Sequence, residues 1–131
     1  MARPRRKKKD LSPEERALLA LENFEPRITL EVQNPDRDDA MVFSPELAAL
    51  CLGVHELGSL NAAAKSAGIS YNRAWRLVRD AETALGFALL KRNGANGSEV
   101  TEPCLKLLDS YLKISRTLQR QAEKLYARAM A

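Results

Sequence analysis

Three arginines spaced by three, Arg73, Arg76 and Arg79, lie between Ser70 and Gly86. At about 3.6 residues per helical turn that spacing forms one ridge. Over Tyr71 to Leu85, Ala74, Leu77, Val78, Ala81 and Leu85 fall within an arc of roughly 100°. Asn72, Arg73, Arg76, Arg79, Asp80 and Thr83 fall on the opposite side. A guanidinium offers guanine a two-pronged donor, and an asparagine amide offers adenine a donor and an acceptor. Ser70, Tyr71 and the open N–H groups at the helix start suit phosphate oxygens. This is chemistry for reading a nucleic-acid duplex, and it requires a helix held with its outer face bare.

The neighbouring residues supply the holder. A shorter helix, Leu60 to Ala67, precedes the arginine helix, and Gly68-Ile69-Ser70 joins the two as a helix-turn-helix. Ala64 is small where the second helix crosses, Gly68 permits a positive φ, and Ile69 plugs the corner. Ala63, Ala67, Ala74 and Leu77 are expected to fill the interface between the helices. Ser59, Asn61 and Lys65, on and just before the shorter helix, join the candidate duplex-contacting residues. Trp75 lies between the polar and apolar faces and reads as packing at the core edge. After Gly86, Phe87 to Lys91 has strand length, Asn93 to Gly97 is turn chemistry, and Glu99 to Thr101 returns. Such a hairpin, or wing, would lie beside the duplex, with Lys91, Arg92, Asn93, Asn96 and Ser98 as candidate tip residues.

On the amino-terminal side, Ser44-Pro45-Glu46 opens another helix, with Leu47, Leu50, Cys51, Val54 and Leu57 recurring at threes and fours until Gly58. Ser12, Pro13 and Glu15 start a first short helix reaching about Asn23. Ile28, Leu30 and Val32 alternate with polar residues as a strand would, and Met41-Val42-Phe43 is a candidate return strand. Thr101 caps a long final helix from about Pro103. There a period of seven puts Cys104, Tyr111, Leu118 and Leu125 in one register and Leu108, Ser115, Ala122 and Ala129 in the other. Leu112 and its neighbours broaden that apolar surface. The expectation is a homodimer joined through Leu108, Tyr111, Leu112, Leu118 and Leu125. Its two reading helices would address a palindrome.

Charge is unevenly placed. The net +4 resolves into +5 over residues 1–10, −7 over 11–58, +4 over 59–92, −2 over 93–102 and +4 over 103–131. Screening erases charges beyond about 8–10 Å, so a polyanion senses the basic segments rather than the average. Residues 1–10 read as a disordered basic arm. Hydrophobic residues make up 45% of the 131 and aromatic ones 5%, so aliphatic side chains must build the core of a single ordinary domain. No apolar run is long enough to cross a membrane. Cys51 and Cys104 read as reduced core residues of a cytoplasmic protein. With His55 they are too few for a structural zinc site. Neither a phosphate loop nor a nucleophile–base set stands out, which argues against an enzyme, and no cofactor is expected.

The run GSLNAAAKSAGISYNRAWRLV, Gly58 to Val78, resembles the amino-terminal domain of ModE-type molybdate-responsive regulators. More loosely, it is similar to the LysR-type winged helix. The resemblance spans about residues 27 to 128. It implies a dimeric winged helix-turn-helix transcription regulator whose recognition positions fall on Ser70, Tyr71, Asn72, Arg73 and Arg76. Two departures stand out: the wing is poorer in glycine than the ModE pattern, and no oxyanion-binding domain follows the long helix before Ala131. Direct molybdate sensing and a small-molecule effector are therefore not expected. The fold expected is mainly α with a small β-hairpin wing and a long C-terminal dimerisation helix. Its parts are an arm (1–10), a short helix (11–26), a winged helix-turn-helix (27–102) and the long helix (103–131). The function expected is sequence-specific recognition of double-stranded DNA by a homodimer. The alternative is a winged-helix protein-interaction module that binds no DNA.

Overall fold

The computed structural model describes residues 10–37, 42–94 and 97–131. In chain order the elements are α1 (Pro13–Leu21), α2 (Pro45–Leu57), α3 (Leu60–Ala67), α4 (Tyr71–Leu85), β1 (Leu90–Arg92), β2 (Ser98–Val100) and α5 (Glu102–Met130). They fall into two units. One comprises residues 29–115, the other 1–28 with 116–131.

The larger unit is a winged helix-turn-helix. Its helices start where side-chain oxygens satisfy the otherwise bare N–H groups of a first turn. Ser44 caps α2, Ser59 caps α3, Ser70 caps α4, and the Thr101 hydroxyl accepts from Cys104 N–H in the first turn of α5. The turn between α3 and α4 depends on Gly68 at φ 73°, a left-handed conformation that side chains with a Cβ resist. Phe43, Leu50, Val54, Leu60, Val78, Leu89 and Leu108 form the centre of the core. Close approach of α2 and α3 rests on Gly53, where an added Cβ would come within 2.8 Å of the Ala63 Cβ. Ala63, Ala64 and Ala74 are buried and Leu77 is half-buried, as the helix-turn-helix reading requires. Ala67 is exposed instead, because the chain leaves the helix at Gly68 before that residue can turn inward.

Cys51 and Cys104, distant in sequence, meet in this core. A hydrogen bond with Cys104, reinforced by burial, pushes the Cys51 thiol far above its ordinary range.

The hairpin pairs β1 and β2 antiparallel, with Leu90 opposite Val100, Lys91 opposite Glu99 and Arg92 opposite Ser98. The first strand begins later than the expected Phe87. The Leu89 N–H is taken by the Glu82 carboxylate at 2.7 Å, and the Ala88 carbonyl accepts from the Thr101 hydroxyl at 2.7 Å, so neither group reaches a ladder. The second strand is likewise Ser98–Val100; Thr101 still donates its N–H to the Leu89 carbonyl at 3.0 Å, while its hydroxyl caps α5. Gly97 lies against the end of α2: a Cβ there would overlap the Gly58 carbonyl, which accepts from Ser98 N–H.

The alternating segment Ile28 to Val32 does not form the expected strand. It contributes a single antiparallel bridge, Val32 to Phe43. The Leu30 carbonyl instead accepts from the Tyr111 hydroxyl at 2.7 Å, and the Tyr111 ring packs edge-on against Phe43 at 5.3 Å. Met41, part of the expected return strand, lies outside the described residues.

Two expected dimer contacts are thereby corrected. Leu108 and Tyr111 are 1% and 5% exposed, so this stretch of α5 faces its own domain, and Leu112 packs half-buried against the same core. A heptad pattern marks an apolar stripe but not which surface covers it. Burial holds the Tyr111 hydroxyl above the ordinary tyrosine range, with the Glu31 charge adding to the rise. In the unfolded chain this proton therefore leaves first. Its contribution is complete below about pH 10 and is lost as pH rises through the folded-state value. Tyr111→Phe is expected to cost about 0.5–1.5 kcal/mol at neutral pH and to flatten the alkaline limb of a stability–pH curve measured in urea.

In the other unit, α1 opens with a capping box: Glu15 N–H donates to the Ser12 hydroxyl at 3.1 Å, and Ser12 N–H donates to the Glu15 carboxylate. α1 carries no buried residue. Two side chains one heptad apart on α5 clip the last residue of α1 and the segment that follows it. Tyr126 donates to the Leu21 carbonyl at 2.6 Å, while Gln119 donates to the Pro26 carbonyl and accepts from Ile28 N–H. Leu118 and Leu125 are 37% and 63% exposed, and Leu18, Leu19 and Phe24 are more than half or about half exposed.

Candidate nucleic-acid interface

The site is built on α4. Its apolar side is spent on Ala74, Val78, Ala81, Ala84 and Leu85, all buried. That fixes the opposite side outward, and Tyr71, Asn72, Arg73, Arg76 and Arg79 are all exposed. Ser70 sits at the N-cap. Its oxygen accepts from Arg73 N–H at 3.1 Å, which leaves its own O–H to donate outward. Ser59 caps α3 in the same way, toward Ala62 N–H.

Trp75 joins helix to wing. It is half-buried at the edge of the core, as expected, but its ring also carries two cations. The Arg79 guanidinium carbon lies 5.5 Å from the ring centre and that of Arg92, from β1, lies 5.6 Å from it. Tyr71 meets the same ring edge-on at 6.1 Å. Two adjoining clefts result. One, of about 500 Å³, is lined by Ser59, Asn61, Tyr71, Trp75, Arg92 and the wing residues Gly94, Gly97 and Ser98. The other, of about 450 Å³, is lined by Tyr71, Asn72, Trp75, Arg76, Arg79 and Arg92.

Most of the sequence-selected residues thus converge. Lys65 is exposed on α3 but lines neither cleft, and Asn93 lines a separate hollow with His55 and Glu99. Asn96 lies outside the described residues, as does the basic arm through Lys9. Lys91, a candidate tip residue, is paired with Glu99 at 3.1 Å.

Three features were not selected from sequence. Arg73 meets Glu46 of α2 at 3.4 Å, with both side chains about half exposed. Such an exposed pair is weak, and a polyanion can displace the carboxylate. Glu46→Gln is expected to tighten duplex binding about two- to fivefold by freeing Arg73 and removing a like charge, measured by fluorescence anisotropy at fixed salt. Arg37 lines a shallow cleft with Arg79, Glu82 and Thr83, its guanidinium lying over Gly86 at the carboxyl end of α4. Asn34 holds that turn in place by donating to the Leu85 carbonyl at 2.8 Å. The third is the double cation on Trp75. Each depends on a contact between residues distant in sequence, beyond the reach of a helical wheel.

Among the described residues no cluster of three His, Cys, Asp or Glu side chains is placed to hold a metal ion, and no helix is long and apolar enough to cross a membrane.

Residues 46–104 match the family described as bacterial regulatory helix-turn-helix protein, lysR family. Among solved structures, the chain resembles that of the "CbnR_DBD-DNA complex". Identity is 28% and the TM-score is 0.54, and the match covers 63% of this chain and 93% of that one. No curated protein matches the chain. The capped three-helix arrangement and the hairpin behind α4 lie within the segment that carries the first of these likenesses: residues 46–104 resemble the helix-turn-helix domain of lysR-type regulatory proteins.

Proposed function

We propose that the chain is a sequence-specific DNA-binding transcription regulator of the cytoplasm, related to the ModE type and acting as a homodimer. The observation that carries the reading is the outer face of α4, bare from Tyr71 to Arg79 and continuous with Arg92 of the wing while its inner face is buried. The regulatory description of the matched family and the DNA in the similar complex support it. In this reading Asn72, Arg73 and Arg76 address base edges in the major groove. Ser59, Asn61, Ser70, Tyr71, Arg79, Arg92 and Asn93 address the phosphodiester backbone, and Lys65 and Asn96 extend that set. The arm of residues 1–10 adds affinity without sequence preference. The ModE-type relation rests on the Gly58 to Val78 string. No oxyanion site, cofactor or catalytic role is assigned to this chain.

The dimer is assigned to α5 beyond Ser115, where Leu118 and Leu125 are exposed on one heptad line. Two copies related by a twofold axis would read a palindrome whose half-sites lie a helical turn or more apart.

The test is selection of bound fragments from random duplexes, followed by sequencing. A recovered motif repeated with twofold symmetry is expected. Recovery of the input sequence distribution would overturn the assignment of specificity. The exposed Leu18, Leu19 and Phe24 favour a second reading, a protein-interaction module. Failure to be retained on heparin or genomic DNA, with co-purification of one protein, would select it.

A further inference from the structure

We infer that Trp75 is a positioning residue that locks the wing to α4 and presents Arg79 and Arg92 together to the phosphodiester backbone of one DNA strand. The inference rests on the DNA-binding reading and adds to it a residue that need not touch a base.

The argument begins with charge. Arg79 and Arg92 come from different elements, yet both guanidinium carbons lie within 5.6 Å of one ring centre. Among the described residues neither is in an ion pair; Glu99 pairs with Lys91 and Glu46 with Arg73, while Glu82, which lines a cleft with Arg79, accepts from the Leu89 and Leu90 N–H groups. The negative face of an indole attracts a cation by only about 0.5–1 kcal/mol at an exposed site. That orients the two groups but does not neutralise them. Two uncompensated cations gathered on one ring form a site whose missing partner is anionic.

Geometry narrows the partner. Strand alternation separates Lys91, paired across the hairpin with Glu99, from Arg92, which turns to Trp75. Tyr71, one helical turn before Trp75, closes the ring's edge, and Arg79 lies one turn after it. Tyr71, Trp75 and Arg92 therefore form the wall shared by both clefts. A single small anion would fill one cleft. A run of phosphates along a strand fills both in succession, and duplex DNA offers one charge per ~3.4 Å of axis on each strand. A flexible arginine pair would lose side-chain entropy on reaching such a run, and the ring has already removed much of that freedom.

The experiment compares Trp75→Leu and Trp75→Phe with the unsubstituted protein on the selected duplex and on a random duplex, across a salt series. Trp75→Leu is expected to weaken both duplexes alike, by about tenfold. It should also lower the slope of log affinity against log salt by up to about 2, since each phosphate contact contributes ~0.9. Trp75→Phe keeps a π face and should stay within about threefold. Adding Arg92→Ala to Trp75→Leu should cost little more, the non-additivity of groups acting as a unit. Because Trp75 is the one tryptophan, Arg92→Ala alone should also shift the protein's indole emission without DNA, which needs no Trp75 variant to fold. An unchanged salt slope in Trp75→Leu, additive losses in the double variant, or an emission spectrum indifferent to Arg92→Ala would overturn the inference. Absence of binding to any duplex by the unsubstituted protein would instead overturn the DNA-binding reading itself.

Discussion

Leu108→Ala is expected to lower the stability of the folded chain by about 2–5 kcal/mol, seen as a fall in the urea midpoint. Leu108 is 1% exposed and belongs to the same buried cluster as Phe43, Leu50, Val54 and Leu89. Truncation there removes apolar contacts and leaves a cavity that rigid neighbours cannot fill. Leu118→Ala, on the same helix but 37% exposed, should leave the midpoint nearly unmoved and weaken self-association in sedimentation experiments. The reverse pattern, with Leu108→Ala dissociating a dimer at constant stability, would return the first half of α5 to the interface.

Arg76→Ala is expected to cost about 1–3 kcal/mol on the selected duplex and to broaden preference at one base position per half-site. Arg76 is exposed in the middle of the α4 ridge and, unlike Arg73, is not in an ion pair among the described residues, so it reaches a groove without first leaving a carboxylate. Its fork addresses guanine O6 and N7 together, which a phosphate contact cannot imitate. The measurement is competition between selected and random duplexes at constant salt. Equal losses on both would make Arg76 a backbone contact and strip α4 of its reading role.

The parts of this fold that were legible in the sequence are those decided within a few residues. Ser44, Ser59, Ser70 and Thr101 each meet a backbone N–H three residues ahead, so the helix starts follow from local chemistry. Gly58, Gly68 and Gly86 end helices for an equally local reason. Arg73, Arg76 and Arg79 share a face by arithmetic alone. What the sequence left open depends on distant partners. The alternation from Ile28 to Val32 looks like a strand until Tyr111 claims the Leu30 carbonyl, 81 residues away. The period-seven stripe of α5 reads as one seam, whereas its first half covers the domain's own core, and Tyr126 and Gln119 later hold the end of α1 and the segment after it. Trp75 was legible as a boundary residue. That two arginines from separate elements would share its ring was not, because nothing in local spacing relates Arg79 to Arg92.

The most direct measurement of the central claim, that the outer face of α4 enters the major groove, is interference by guanine N7 methylation on the selected duplex. N7 lies in the major groove and is the acceptor an arginine fork requires. Methylation at one or two guanines per half-site is expected to abolish binding by the unsubstituted protein, with one of those positions losing its effect in Arg76→Ala. Binding that tolerates methylation at every guanine would contradict the account.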